Sequence, residues 1–142
     1  MKILAGKCGC GTVRYEVADE FRYAANCHCS NCRAATGSAF KPFAGIESEK
    51  LELTDGDDAL LVFGEEDLTD TRCAVCGSLL FSVVRDGAYV HVAMGTLVDA
   101  PSIWPTRPSC GARFPAIRWS GSRPEQTIQR DLKRQRKNPQ KF

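Results

Sequence analysis

The sequence lacks any long hydrophobic run. No stretch approaches the roughly 18 consecutive apolar residues of a membrane span, so no membrane-spanning helix is expected in it. It also lacks a legible secretory leader. The apolar part of Met1-Lys2-Ile3-Leu4-Ala5-Gly6-Lys7 is too short, and Lys7 interrupts it. A cytoplasmic chain is the expectation. Nor is there an excess of one charge. The net charge is +2, with −4 over residues 1–117 and +6 from Arg118 onward. A mildly acidic body does not look like a nucleic-acid-binding surface. Repeats are absent apart from the cysteine motifs. With 43% apolar residues in 142, the chain has enough for one core.

Cysteine, by contrast, is abundant, at eight residues. Seven fall into three tight groups: Cys8-x-Cys10, Cys27-His28-Cys29-Ser30-Asn31-Cys32 and Cys73-x-x-Cys76, with Cys110 left over. A reducing compartment keeps thiols free, and clustered thiols there read as metal ligands. Zn²⁺ is the first candidate, because thiolate sulfur favours it. Cys8, Cys10, Cys73 and Cys76 make a closed four-sulfur site, which is the structural kind. Cys27, Cys29 and Cys32 remain as a second site with three ligands, giving two Zn²⁺ per chain. His28, His91 or Cys110 would close that second site if one of them supplied a fourth ligand.

The charge of an open three-thiolate site restricts its chemistry. Three thiolates around Zn²⁺ carry −1, a poor setting for ionising water. The same site suits an incoming thiolate, which stays deprotonated and nucleophilic toward a small aldehyde. Arg33 and Lys41 are candidate contacts for carboxylates of such a thiol, or else solvated surface charges. Ser30 and Asn31 are candidate hydrogen-bond donors.

Alternation of apolar and polar residues predicts strands over Lys2–Lys7, 12–17, 21–26, 38–46, 59–63, 79–84 and 89–93. Ser30 to Thr36 reads as a short helix, with Ser30 as N-cap and Gly37 as its stop. Pro42 suggests an edge or a bulge. Residues 47–58 read as an acidic connection ending in the Asp55-Gly56-Asp57-Asp58 turn, and Gly64 to Asp67 as another turn. Asp86-Gly87 reads as a hairpin turn. Most of the prolines and both tryptophans fall in 99–124, which reads as extended chain wrapped on the sheet. The resulting class is mainly β. The expected division is a zinc-binding domain over 1–120 and a basic, flexible tail over 121–142 that includes Arg130, Lys133, Arg134, Arg136 and Lys137.

Three motifs in order carry a resemblance. They are Gly6-x-Cys8-x-Cys10-Gly11-x-Val13-x-Tyr15-Glu16-Val17, then Cys27-His28-Cys29-Ser30-x-Cys32-Arg33 with Gly37-Ser38, then Cys73-x-x-Cys76-Gly77-x-x-Leu80-Phe81. Over residues 1 to about 107 the chain resembles the glutathione-dependent formaldehyde-activating enzyme family, to which centromere protein V is related. The resemblance implies a β-tent of twisted antiparallel sheets. It implies a structural zinc at Cys8, Cys10, Cys73 and Cys76 and a catalytic-type zinc at Cys27, Cys29 and Cys32. It also implies S-hydroxymethylglutathione synthase activity, a carbon–sulfur lyase reaction in reverse, with glutathione as the small thiol partner. After Pro105-Thr106-Arg107 the chain departs from the family, continuing Pro108-Ser109-Cys110-Gly111, with Trp119 later than the usual aromatic.

Two other functions fit the same residues. One is a zinc-stabilised β scaffold that binds a protein partner without catalysis, with the basic tail as its extension. The other is thiol redox or metal handling, since C-x-x-C also serves exchange. The sequence leaves the oligomeric state open.

Overall fold

A computed structural model describes residues 1–65 and 68–105. Among the described residues nine strands form two antiparallel sheets, with one α-helix, in agreement with the expected mainly β class. The strands are β1 (Ile3–Lys7), β2 (Arg14–Ala18), β3 (Tyr23–Cys27), β4 (Lys41–Glu47), β5 (Leu51–Asp55), β6 (Leu60–Glu65), β7 (Leu68–Cys73), β8 (Leu79–Val84) and β9 (Tyr89–Ala93). The helix, α1 (Ser30–Thr36), joins β3 to β4. The small sheet has the order β1-β2-β5 and the large one β3-β4-β9-β8-β7-β6.

Alternation builds the core between the sheets. Leu4 pairs with Val17 and Gly6 with Tyr15, so one face of the small sheet is apolar. Ile46, Phe81, Val90 and Val92 meet it from the large sheet, and the Tyr15 and Phe81 rings pack edge-on at 6.3 Å. The opposite face of the large sheet carries a second alternating set. Tyr23, Gly45, His91, Ser82, Asp70 and Phe63 are register partners in one row across all six strands. This outer row, not the core, supports the site.

Three local expectations are corrected. Residues 47–58 are not a plain connection, because Leu51–Asp55 is β5, the third strand of the small sheet. Leu51 and Leu53 pack against the core while Glu52 faces outward. Pro42 is neither at an edge nor at a bulge. It sits in β4 opposite Asn26, one residue before β9 begins to pair at Phe43, so its missing N–H interrupts no bond to β9. Cys29, not Ser30, caps α1: its sulfur accepts the Cys32 backbone N–H. Gly37 ends the helix at φ 62°, as expected.

The hairpin at Asp86-Gly87 forms, with φ of 54° and 86°. After β9 the chain returns to β1. Val98 N–H donates to the Ala5 carbonyl, Asp99 accepts from Ala5 N–H, and Asp19 accepts from Ser102. That much of the wrapped segment is described. Cys110, Trp119, the boundary near 120 and the basic tail of 121–142 lie outside the described residues. No helix among the described residues is long and apolar enough to cross a membrane.

Candidate metal centres and cavity

Both cysteine groupings expected from spacing are assembled. The sulfurs of Cys8, Cys10, Cys73 and Cys76 lie within 4.8 Å of one another, and so do those of Cys27, Cys29 and Cys32. None is in a disulfide.

The four-cysteine cluster joins two knuckles about sixty residues apart. In the first, Cys8 N–H donates to the Val13 carbonyl, and Gly11 (φ 80°) turns the chain so that its N–H donates to the Cys8 carbonyl. In the second, Gly77 (φ 75°) places its N–H on the Cys73 carbonyl at 2.8 Å. The Cys8 and Cys10 sulfurs are 3.4 Å apart, and those of Cys10 and Cys73 3.8 Å. A tetrahedral Zn²⁺ with bonds of about 2.3 Å spaces its sulfurs about 3.8 Å apart, so this donor set fits the ion. Val13 N–H points at the Cys8 sulfur, and the Ser78 hydroxyl lies 3.2 Å from that of Cys76. The Ser78 contact, with nearby backbone N–H groups, holds the Cys76 thiol down to about 5.

The three-cysteine cluster sits where β3 gives way to α1. Cys27 is the last residue of β3, Cys29 caps α1 and Cys32 is in its first turn. Cys27 and Cys29 sulfurs are 3.5 Å apart, again fitting a tetrahedral ion. The Cys32 N–H holds the Cys29 thiol below its usual range, whereas burial pushes the Cys32 thiol up. Neither histidine joins these sulfurs among the described residues. The His28 ring packs near Phe40, at 5.5 Å between centroids. The His91 Nε2 lies 2.8 Å from the Tyr23 hydroxyl, and its ring stacks on Phe43 at 4.1 Å. Burial, with Lys41 and Arg85 nearby, lowers the His91 pKa to about 4, so the ring is neutral at pH 7.

A cavity of about 250 Å³ opens beside the three sulfurs. Phe43, His91, Lys41 and Asp70 line it from the sheet, Asn31 and Ala35 from α1, and Leu68 from β7. The Tyr23 ring that braces His91 lies flat over Gly45; a Cβ there would come within 2.3 Å of the ring.

Of the two donor candidates, Asn31 lines the cavity. Ser30 and Arg33 are not among its lining residues. Lys41 is not a solvated surface charge: it is 4% exposed and bonded to Asp70 and Ser82. Asp70, Ser82 and Phe43 were not singled out from the sequence. Ser82 had one usable signal, a lone hydroxyl inside the apolar run Leu79-Leu80-Phe81-Ser82-Val83-Val84.

A family model described as "Glutathione-dependent formaldehyde-activating enzyme" matches residues 3–112. Among solved structures, the chain is similar to a structural-genomics protein from Rhodobacter sphaeroides. The two share 25% identity over 69% of this chain and 91% of that one, with a TM-score of 0.57. No curated protein matches.

Proposed function

The chain belongs to the glutathione-dependent formaldehyde-activating enzyme family, and we propose that it joins a small aldehyde to the thiol of glutathione, and parts them in reverse, at the Cys27 cluster. The observation that carries this reading is the pairing of three sulfurs, without a fourth ligand among the described residues, with a cavity that opens directly onto them. Zn²⁺ held by Cys27, Cys29 and Cys32 would keep an entering thiol as a bound thiolate. Cys8, Cys10, Cys73 and Cys76 would hold the second ion and staple β1–β2 to the β7–β8 turn.

The chain's own groups supply the rest. Phe43 and Leu68 give the cavity apolar walls against the carbon part of the adduct. Neutral His91 adds no charge that would compete for the thiolate. Asn31, at the start of α1, offers an amide to the peptide part of the thiol. Placing aldehyde carbon and sulfur side by side makes the encounter effectively unimolecular, which favours the joining step.

The test is direct. Purified protein is analysed for metal, then mixed with formaldehyde and glutathione, and loss of the free aldehyde is followed. Two zinc ions per chain and consumption faster than the spontaneous rate are expected, both falling in Cys32→Ser. Consumption at the spontaneous rate by fully loaded protein overturns the reaction.

A further inference from the structure

The cavity beside the three cysteines has a buried cation in its wall. Lys41 stands directly opposite Cys27 in the antiparallel register of β3 and β4. Cross-strand partners rise on one face, with Cβ atoms about 5 Å apart. Lys41 is 4% exposed yet lines the cavity. Its ammonium donates to Asp70 Oδ1 at 3.2 Å and to Ser82 Oγ, and the Ser82 hydroxyl donates on to the same Asp70 oxygen. An ammonium has three donors, so these two bonds leave one for a guest in the cavity.

The network is not a simple neutral pair. Asp70 also lies 4.0 Å from the Arg72 guanidinium, so one carboxylate is shared between two cations. One positive charge is therefore left over beside a cavity in which Phe43 and neutral His91 carry none and the three sulfurs would carry the opposite sign. Burying a cation is costly unless it is well partnered. A leucine or methionine would line the wall at less cost, and nothing in the core requires an amine there. Asp70 and Ser82 hold the amine in the wall of the cavity that the three sulfurs also line.

Resting on the reaction proposed above, we propose that Lys41 binds the aldehyde oxygen and holds it as an alkoxide while the sulfur attacks. The thiolate lone pair forms the C–S bond, and the carbonyl π pair moves onto oxygen. The oxygen then takes from water the proton that the thiol gave up on entry. In reverse, the hydroxyl loses that proton, C=O re-forms and the C–S bond breaks. No electron carrier is needed. Lys41 is the catalytic residue, while Asp70 and Ser82 are positioning residues that act through it. The chemical class selected is a small, unhindered carbonyl, because its oxygen must reach an amine at the cavity wall.

Two measurements on zinc-loaded protein test this. The first is calorimetric binding of S-carboxymethylglutathione, which carries an anionic oxygen near the sulfur, against S-ethylglutathione, which does not. Wild type is expected to prefer the carboxylate by about tenfold or more, the range of a charge-assisted hydrogen bond. Lys41→Met abolishes the preference and Lys41→Arg keeps part of it. The second is turnover. Lys41→Met is expected to lower kcat by about 100-fold or more with KM for glutathione little changed, since the lost bond belongs to the transition state. Because Lys41→Met strands a half-buried carboxylate, Lys41→Met/Asp70→Asn serves as the folded control and must share both losses. Equal affinity for the two analogues in wild type, or near-normal kcat in the folded double variant, overturns the role. If wild type does not turn over formaldehyde but shows a Lys41-dependent preference, the proposed reaction fails and the oxygen-binding role stands.

Discussion

The Arg72 guanidinium donates to the Ala35 carbonyl at the end of α1. It also donates to the Gly77 carbonyl in the knuckle of the four-cysteine cluster, at 3.1 Å. The last carbonyls of a helix have no partner within it, so this contact satisfies one of them with a cation, the favourable sign at that end. One side chain therefore ties the element carrying Cys32 to the loop carrying Cys76. Arg72→Met should lower unfolding free energy by about 1–3 kcal/mol through the lost bonds. It should also release the more weakly held zinc at lower chelator concentration, with the second ion unaffected. Stepwise zinc release followed with a chromogenic chelator checks this; unchanged release of both ions would rule out the coupling.

The two clusters should fail differently. Cys73 is fully buried, and its cluster fastens two sheets, so Cys73→Ser should remove stability on the order of the whole domain's, about 5 kcal/mol or more. Cys32→Ser acts at the end of one short helix and should leave a folded protein with one zinc. Thermal melts combined with metal analysis separate the cases. A Cys32→Ser melt as depressed as that of Cys73→Ser would contradict the division of labour.

Gly45→Ala should damage the cavity from behind. The added methyl must displace the Tyr23 ring, which braces His91 through a 2.8 Å contact. Overpacking of this sort costs about 1–3 kcal/mol. Near-ultraviolet circular dichroism should report the moved tyrosine, and Tyr23→Ala/Gly45→Ala should recover part of the loss if the clash is the cause.

His91 sets an acid limit. Its folded pKa of about 4 lies below the ordinary 6.5, so between those values the unfolded chain binds more protons. Stability from this group is therefore present above pH 6.5 and is lost as pH falls toward 4. His91→Gln lacks the titration. The difference in urea midpoint between wild type and His91→Gln should shrink steadily over that window, while cysteine protonation affects both proteins alike. A difference that stays constant from pH 7 to 4.5 would show that the imidazole is not held neutral.

What the sequence disclosed was mainly what is local. Ligand spacing within each knuckle is set by two or three residues, so the cysteine groups could be read directly. The strand at Leu51–Asp55 was obscured because its outward residues are acidic and resemble a turn; only the pairing of Leu51 with Val17 reveals its inner face. Capping by Cys29 was hidden because oxygen side chains are the usual caps, and a sulfur already placed for metal serves here instead. The role of Lys41 was least legible. Asp70 and Ser82 reach it from 29 and 41 residues away in the chain, and no local pattern encodes that meeting.

Alternation along β4 gives the molecule an internal check on its own assembly. Lys41 and Phe43 face the cavity and Gly45 lies on the same side under the Tyr23 ring, while Ala44 and Ile46 face the core. A slip of one residue would exchange the two sets together. It would bury Lys41 among aliphatic side chains and take the cation away from the sulfurs in the same movement. A chain with this strand misregistered thus cannot persist as a well-folded but inert bystander. One slip would cost both the packing of the core and the make-up of the cavity wall.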